Sequence, residues 1–329
     1  MKEKIITIIA CLLILIGASV FCYPYVMNGY YNYQADKVLS SYKDEMEDFS
    51  KEMADEESHA LGEADSQSRK DEQESYDKSS KRLKDLYEEM LIYNHKIFEN
   101  DQEELADPFS FESASFDLTK YGLSDNLIGY LTIPVMDVEL PVYLGATTEN
   151  LAKGVAHLGQ TSMPVGGANT NVVLAAHRGY RGIPMFREIE KIKVGDVVTF
   201  TTSFDTLHYE VTGIEIILPE EIDKIRIQPG KDMLTLFTCH PYRENTHRYV
   251  VFCERTTENK QKQENAKDAK EQISTMEETG EEEIYQEEIA ADDSSQGQIL
   301  LDRYVPIAGI LFLVIVFILC FIGIKKKRL

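Results

Sequence analysis

Residues Leu234–Tyr242 read LTLFTCHPY. The approach to the cysteine is apolar and β-branched, with Thr235 and Thr238 among Leu234, Leu236 and Phe237, and predicts a buried strand. Cys239, His240 and Pro241 then arrive together where that strand should end. A thiol in this position has four readings: a small buried hydrophobe, half of a disulfide, a metal ligand or a nucleophile.

Runs of the same kind recur from Leu127 onward: NLIGYLTIP, VELPVYLG, TNVVLAAH, DVVTFTT, LHYEVTGIEII, DMLTLFTC and RYVVFCER. Each is short and bounded by Gly, Pro, Asn or Asp. Seven or eight strands in about 130 residues predict one all-β barrel or sandwich. Short helical pieces are expected between them, in NLAKGVAHL and IPMFREIEKIK. Upstream, residues 28–100 are rich in Glu, Asp, Lys and Ser. Leu83, Leu86, Tyr87, Met90 and Leu91 recur there at helical spacing. One or two helices are predicted, one face of the second packing on the β-domain. The more charged stretch before it reads as a solvated helix or stalk. Beyond Arg255 the chain turns polar again, with 13 acidic residues against 4 lysines between Glu258 and Gln298. That composition reads as a tether.

Two segments are not globular in character. Ile5–Cys22 is 18 residues without a charge, preceded by Lys2 and Lys4; Val305–Ile324 is 20 such residues, followed by Lys325, Lys326, Lys327 and Arg328. At about 1.5 Å per residue against a hydrocarbon core of about 30 Å, the second is long enough to span. The first lies between a cleavable signal core and a signal anchor, and reads as an uncleaved anchor. Both basic ends belong in the cytoplasm, which puts residues 24–303 outside. The net charge of −22 argues against nucleic acid or an acidic membrane surface as partner.

Cys11, Cys22 and Cys320 fall in the apolar segments, leaving Cys239 and Cys253 outside. A disulfide between these two is the bland reading for an exported chain, although Cys253 ends its own strand-like run. A nucleophilic thiol needs a base or cation and a group for the oxyanion. His177, in VVLAAHRGY, occupies the same strand-to-loop position as Cys239, and Arg248 begins the following strand. Taken singly, His177 reads as a structural histidine and Arg248 as a salt-bridged arginine. Arg178 is an alternative cation. His240 and His247 raise the question of a metal, but no C-x-x-C or H-x-x-x-H spacing supports one.

The segment TLFTCHPY…NTHRYVVFCER resembles the active-site region of the sortases, membrane-anchored cysteine transpeptidases of Gram-positive bacteria. Their pattern is TLxTC followed by an arginine nine residues past the cysteine, and Cys239 and Arg248 have that spacing. IGYLTIPVMDVELPVYLGAT, GVAHLGQTSMPVGGANTNVVLAAHRGY and MFREIEKIKVGDVVTF resemble the rest of the family core, so the similarity covers residues 121–255. The resemblance implies a mainly β fold: a closed eight-stranded barrel with N-terminal helices, flanked by two transmembrane helices. It implies catalysis by Cys239, His177 and Arg248, with neither metal nor organic cofactor. One departure is His240, where family members often carry a small residue.

The pilus-assembling branch, class C, lays an Asp-Pro-aromatic tripeptide over its active site. ELADPFSFES supplies Asp107, Pro108 and Phe109 as such a lid; otherwise DPF is an ordinary Asp-Pro turn. A second membrane segment and YNHKIFEN also resemble that branch. The expected organisation is an anchor at 1–24, an acidic helical stalk at 25–100, the lid at 101–116, the catalytic barrel at 117–257, an acidic linker at 258–303, a transmembrane helix at 304–324 and a basic cytoplasmic tail at 325–329. The resemblance implies cleavage of an LPXTG-like C-terminal sorting signal through a thioacyl enzyme, and transfer to a pilin lysine. Attachment of surface proteins to peptidoglycan is the alternative; a non-enzymatic surface domain with a Cys239–Cys253 disulfide is a more distant one. Free thiols and imidazoles titrate near 8.5 and near 6.5, so the thiolate–imidazolium pair is a minority form and slow turnover is expected.

Overall fold

A computed structural model describes residues 2–59, 67–110, 117–121, 126–180, 183–256, 297–301 and part of 304–315. The chain forms two compact units, and the larger, Tyr33–Arg178 with Met185–Met276, contains the whole β-domain. Its strands are β1 (Leu127–Ile133), β2 (Val138–Leu144), β3 (Val155–His157), β4 (Thr170–Ala175), β5 (Val197–Thr202), β6 (Thr206–Ile217), β7 (Asp232–His240) and β8 (His247–Arg255). They close into a barrel in the order β1-β2-β3-β4-β7-β8-β6-β5. Closure removes sheet edges, which resolves barrel against sandwich in favour of the barrel.

β4 and β7 pair in parallel, with Val173 opposite Thr235 and Ala175 opposite Phe237. Strands buried on both faces read as near-continuous apolar runs, and all of β4 and eight of the nine residues of β7 are buried. Their few polar side chains are bonded internally. Thr235 Oγ1 donates to Asn171 Oδ1 at 2.8 Å, and Thr238 Oγ1 to the Ala176 carbonyl at 2.7 Å.

The eighth strand lies where the sequence suggested only helix. NLAKGVAHL divides into a helix, Thr148–Lys153, and β3, paired in parallel with β2. Thr147 caps the helix by accepting from the Asn150 amide at 3.1 Å. Gly154 ends it where a Cβ would sit 2.6 Å from the Pro141 carbonyl, so a side chain there is excluded by close packing. IPMFREIEKIK contains only a short 3₁₀ turn, Ile189–Lys191.

Upstream are two helices, Lys2–His59 and Gln67–Glu99. The second buries Leu86, Met90, Asn94 and Ile97, one helical stripe, whereas Leu91 is 43% exposed and lies off it. Asn94 docks it: its amide donates to the Met163 carbonyl at 3.1 Å and accepts from the Met163 N–H at 2.6 Å. The first helix also packs on the barrel, chiefly through residues that precede the highly charged stretch beginning at Lys43. Tyr42 lies among Val38, Met46, Leu127, Tyr130 and Tyr143, and its hydroxyl donates to the Ile128 carbonyl at 3.1 Å. Ala35, Leu39 and Tyr42, all buried, form a stripe easily overlooked among charges.

No helix among the described residues is long and apolar enough to cross a membrane. Most of Val305–Ile324, the basic tail, residues 111–116 of the expected lid segment and most of the acidic linker lie outside the described residues.

Candidate active site

Side chains alternate across a strand, and this assigns the site to one face of β4, β7 and β8. Val173 and Ala175 of β4, Met233 and Phe237 of β7, and Val250 and Phe252 of β8 belong to a single apolar cluster with Ile217, Leu151 and Leu158. By the same alternation Cys239 and Arg248 lie on this face, directly opposed in the β7–β8 register. His177 follows β4 by two residues, at the end of the barrel that carries Cys239. Above them Phe109 packs nearly parallel to Phe237 at 6.2 Å and lies 5.6 Å from the His177 ring. The Arg248 guanidinium carbon is 5.5 Å from the centre of the Phe109 ring. His177, Cys239 and Arg248 are thus brought to one rim, and Asp107, Pro108 and Phe109 lie over it.

Asp107 is buried and takes Arg248 as a two-pronged pair, Nε to Oδ1 at 2.7 Å and Nη2 to Oδ2 at 2.8 Å. Nη1 of the same guanidinium donates to the Asn245 and His247 carbonyls at 3.0 and 2.9 Å. Arg248 is therefore engaged on all three of its nitrogens. Ser110 Oγ donates to Asp107 Oδ2 at 2.6 Å, closing the turn around Pro108. The segment leading in is pinned by Gln102, whose amide donates to the Gln160 carbonyl and accepts from the Ile227 N–H, both at 2.7 Å. Arg226 also bonds the Asp101 carbonyl. Nothing in the sequence marked Gln102, because its partners come from two distant loops.

The electrostatics of this arrangement favour the neutral thiol and imidazole. Cys239 is 8% exposed. Burial pushes its thiol up to about 11; Arg248 pulls it down, Asp107 pushes it up and Arg178 pulls it down less strongly. Burial also lowers the His177 imidazole below its usual value. Both groups are neutral near pH 7 while Asp107 holds Arg248.

His240 belongs to the opposite face, as alternation requires. Its Nδ1 accepts from Arg178 Nη1 at 2.5 Å, and its ring lies 5.6 Å from that of Tyr249. Glu190 pairs with the other terminal nitrogen of Arg178. Arg178 is thus committed beneath the strands, and His240, the departure from the family pattern, is bonded there. Glu190 and Tyr249 had no motif to mark them. Cys239 and Cys253 are both free. Cys253 opposes Leu234, five residues along β7 from Cys239. That is about 17 Å, against the roughly 7 Å limit for a disulfide. Among the described residues no group of three or more His, Cys, Asp or Glu could hold a metal ion.

A closed barrel with a thiol, an imidazole and a guanidinium gathered at one rim has known counterparts. The Sortase domain family model matches residues 131–256. Sortase A of Bacillus anthracis is 32% identical over 125 residues, covering 38% of this chain and 58% of the relative. Sortase D of Bacillus subtilis is 30% identical over 132 residues, covering 39% and 64%. The type II crystal structure of Streptococcus agalactiae sortase C1 is 33% identical, with a TM-score of 0.50 and coverage of 55% of this chain and 90% of that one. This chain belongs to the sortase family. It spans less than two thirds of the length of these two curated relatives.

Proposed function

We propose that this chain is a membrane-anchored cysteine transpeptidase of the pilus-assembling kind, acting on an LPXTG-like sorting signal. The observation that carries the reading is the Asp107–Arg248 pair beneath Phe109: a thiol, an imidazole and an arginine at one rim, with the arginine withheld by a covering turn. Likeness to a sortase C1 supports the same branch.

In this mechanism the covering turn first withdraws, freeing Arg248 Nε and Nη2. Cys239 Sγ attacks the threonine carbonyl of the signal, and its proton passes to His177. Arg248 stabilises the oxyanion of the tetrahedral intermediate. The intermediate collapses by breaking the Thr–Gly C–N bond, with His177 returning the proton to the departing glycine amine. A lysine side chain of another pilin then attacks the thioester and gives a proton to His177. An isopeptide bond forms and the Cys239 thiol is restored.

The two apolar segments support anchoring at Ile5–Cys22 and Val305–Ile324, with the barrel outside. Protease added to intact cells is then expected to cut the chain between residues 24 and 303; complete protection of that region would overturn the topology.

The chemistry is tested by incubating the full chain with an LPXTG-type peptide and searching for an acyl adduct by mass spectrometry. An adduct on the Cys239 peptide, absent in Cys239→Ala, is the expected result. No adduct on Cys239, in the wild type or with the covering turn disabled, would overturn the transpeptidase reading.

A further inference from the structure

The parallel ladder that joins the two halves of the candidate site stops short of it. β4 and β7 pair from Thr170–Asp232 to Ala175–Phe237 and no further. His177, two residues on, is outside the ladder, and its carbonyl is bonded from the next loop by the Phe186 amide at 3.1 Å. Beyond the ladder, two contacts from Ala176 reach β7: its N–H donates to the Phe237 carbonyl at 3.2 Å, and its carbonyl accepts from Thr238 Oγ1 at 2.7 Å. The next tie is the one from Arg178 to His240.

We infer that Arg178 and His240 form a positioning clamp on the reverse face of the active-site strands, setting the separation of His177 and Cys239. The inference rests on the site assignment above. Arg178 is the sequence neighbour of His177, and His240 that of Cys239. The bond between the two neighbours therefore fixes the strand ends on which the imidazole and the thiol are mounted, and it does so from the face opposite the thiol.

The chemistry of the pair defines its state. Arginine only donates, so His240 Nδ1 is the acceptor and the ring carries its proton on Nε2. Glu190 balances the Arg178 charge, and the guanidinium carbon sits 5.9 Å from the centre of the Tyr249 ring. The Arg178, Glu190 and His240 side chains are only 1%, 10% and 5% exposed, so this group is held inside the protein. A buried ion pair with a specific third partner favours one geometry because any other leaves a charge without a bond. Here that geometry also fixes where the chain runs past His177.

The test uses the full chain and three substitutions in the clamp, with His177→Ala as the control that removes the imidazole. His240→Asn keeps an acceptor near the Nδ1 position, His240→Leu removes it at similar volume, and Arg178→Lys loses the fork that serves Glu190 and His240 together. The first readout is iodoacetamide alkylation of Cys239, followed by mass spectrometry across the imidazole's titration range. The charged groups acting on this thiol are Arg248, Asp107 and Arg178. A protonated His177 held beside Cys239 favours the thiolate, so the fall in rate toward acid pH flattens as His177 gains its proton.

That flattening is expected in the wild type and in His240→Asn, and is expected to vanish in His240→Leu, Arg178→Lys and His177→Ala. The second readout is single-turnover acylation by saturating LPXTG-type peptide. It is expected to fall about 100-fold in His240→Leu, with little change in the half-saturating concentration, because misplacement of about 1 Å costs that much. His240→Asn is expected to stay within a few-fold of the wild type. A wild type without the flattening, a His240→Leu chain that retains it, or a His240→Asn chain as impaired as His240→Leu would overturn the clamp. Flattening in the wild type that is lost in His240→Leu and kept in His240→Asn, without any acyl adduct, would uphold the clamp and overturn the transpeptidase reading, so the two failures are distinguishable.

Discussion

Replacing Asp107 and Phe109 together with alanine is expected to speed alkylation of Cys239 at neutral pH by about 10- to 100-fold, since each pKa unit lost by the thiol is a tenfold gain in thiolate. Two effects act in the same direction. Phe109 lies over the His177 and Phe237 rings and keeps the apolar rim covered, so its loss admits the reagent. Asp107 pushes the Cys239 thiol up and occupies the arginine that pulls it down. Its removal lowers the thiol below about 11 and moves the alkylation profile toward lower pH. The single variants separate the contributions. Asp107→Asn changes the charge and leaves the aromatic cover, so it shifts the pH profile with the high-pH rate little changed; Phe109→Ala raises the high-pH rate itself and also lowers the midpoint by relieving the burial that pushes the thiol up. An unchanged rate in the double variant would sink the idea that this turn governs access.

Arg248→Lys is expected to move two readouts in opposite directions. Lysine keeps a positive charge but loses the fork that binds both Asp107 oxygens and two carbonyls at once. The covering turn is then held less firmly, and alkylation of Cys239 rises. Acylation by an LPXTG-type peptide falls, by about 100- to 1000-fold, the loss typical of removing one oxyanion donor. A purely structural role for Arg248 predicts instead that both readouts follow unfolding and change together. Acylation at the wild-type rate in Arg248→Lys would remove Arg248 from the mechanism.

These outcomes bear on why turnover is expected to be slow. The sequence alone points to a thiol and an imidazole whose ordinary ionisation leaves the reactive pair scarce. Burial widens that gap in the covered state, raising Cys239 and lowering His177. Freeing Arg248 narrows it. The same carboxylate that neutralises Arg248 thus ties reactivity to access.

Much of this was legible along the chain because it is written in local periods. Alternation and β-branched runs marked seven of the eight strands, and the interval between Cys239 and Arg248 anticipated their pairing across the β7–β8 hairpin. β3 was hidden because three residues carry no period, and Gly154 takes its meaning from a carbonyl on another strand. Leu91 entered the predicted helical stripe by spacing alone, but the docking of Asn94 on Met163 rotates it into solvent. The packing of Tyr42 on the barrel was masked by the charges around it.

By itself the sequence determined the β-rich class, the apolar end segments, and the identity and order of His177, Cys239 and Arg248, since each depends on side-chain type and spacing along one strand or helix. Only the tertiary structure decided that the barrel closes, that Asp107 takes Arg248 from 141 residues away, and that Arg178 and His240 meet beneath the site. Such contacts depend on strand order and on the face each residue presents. Those follow from how the strands are assembled in space, which spacing along the chain does not encode.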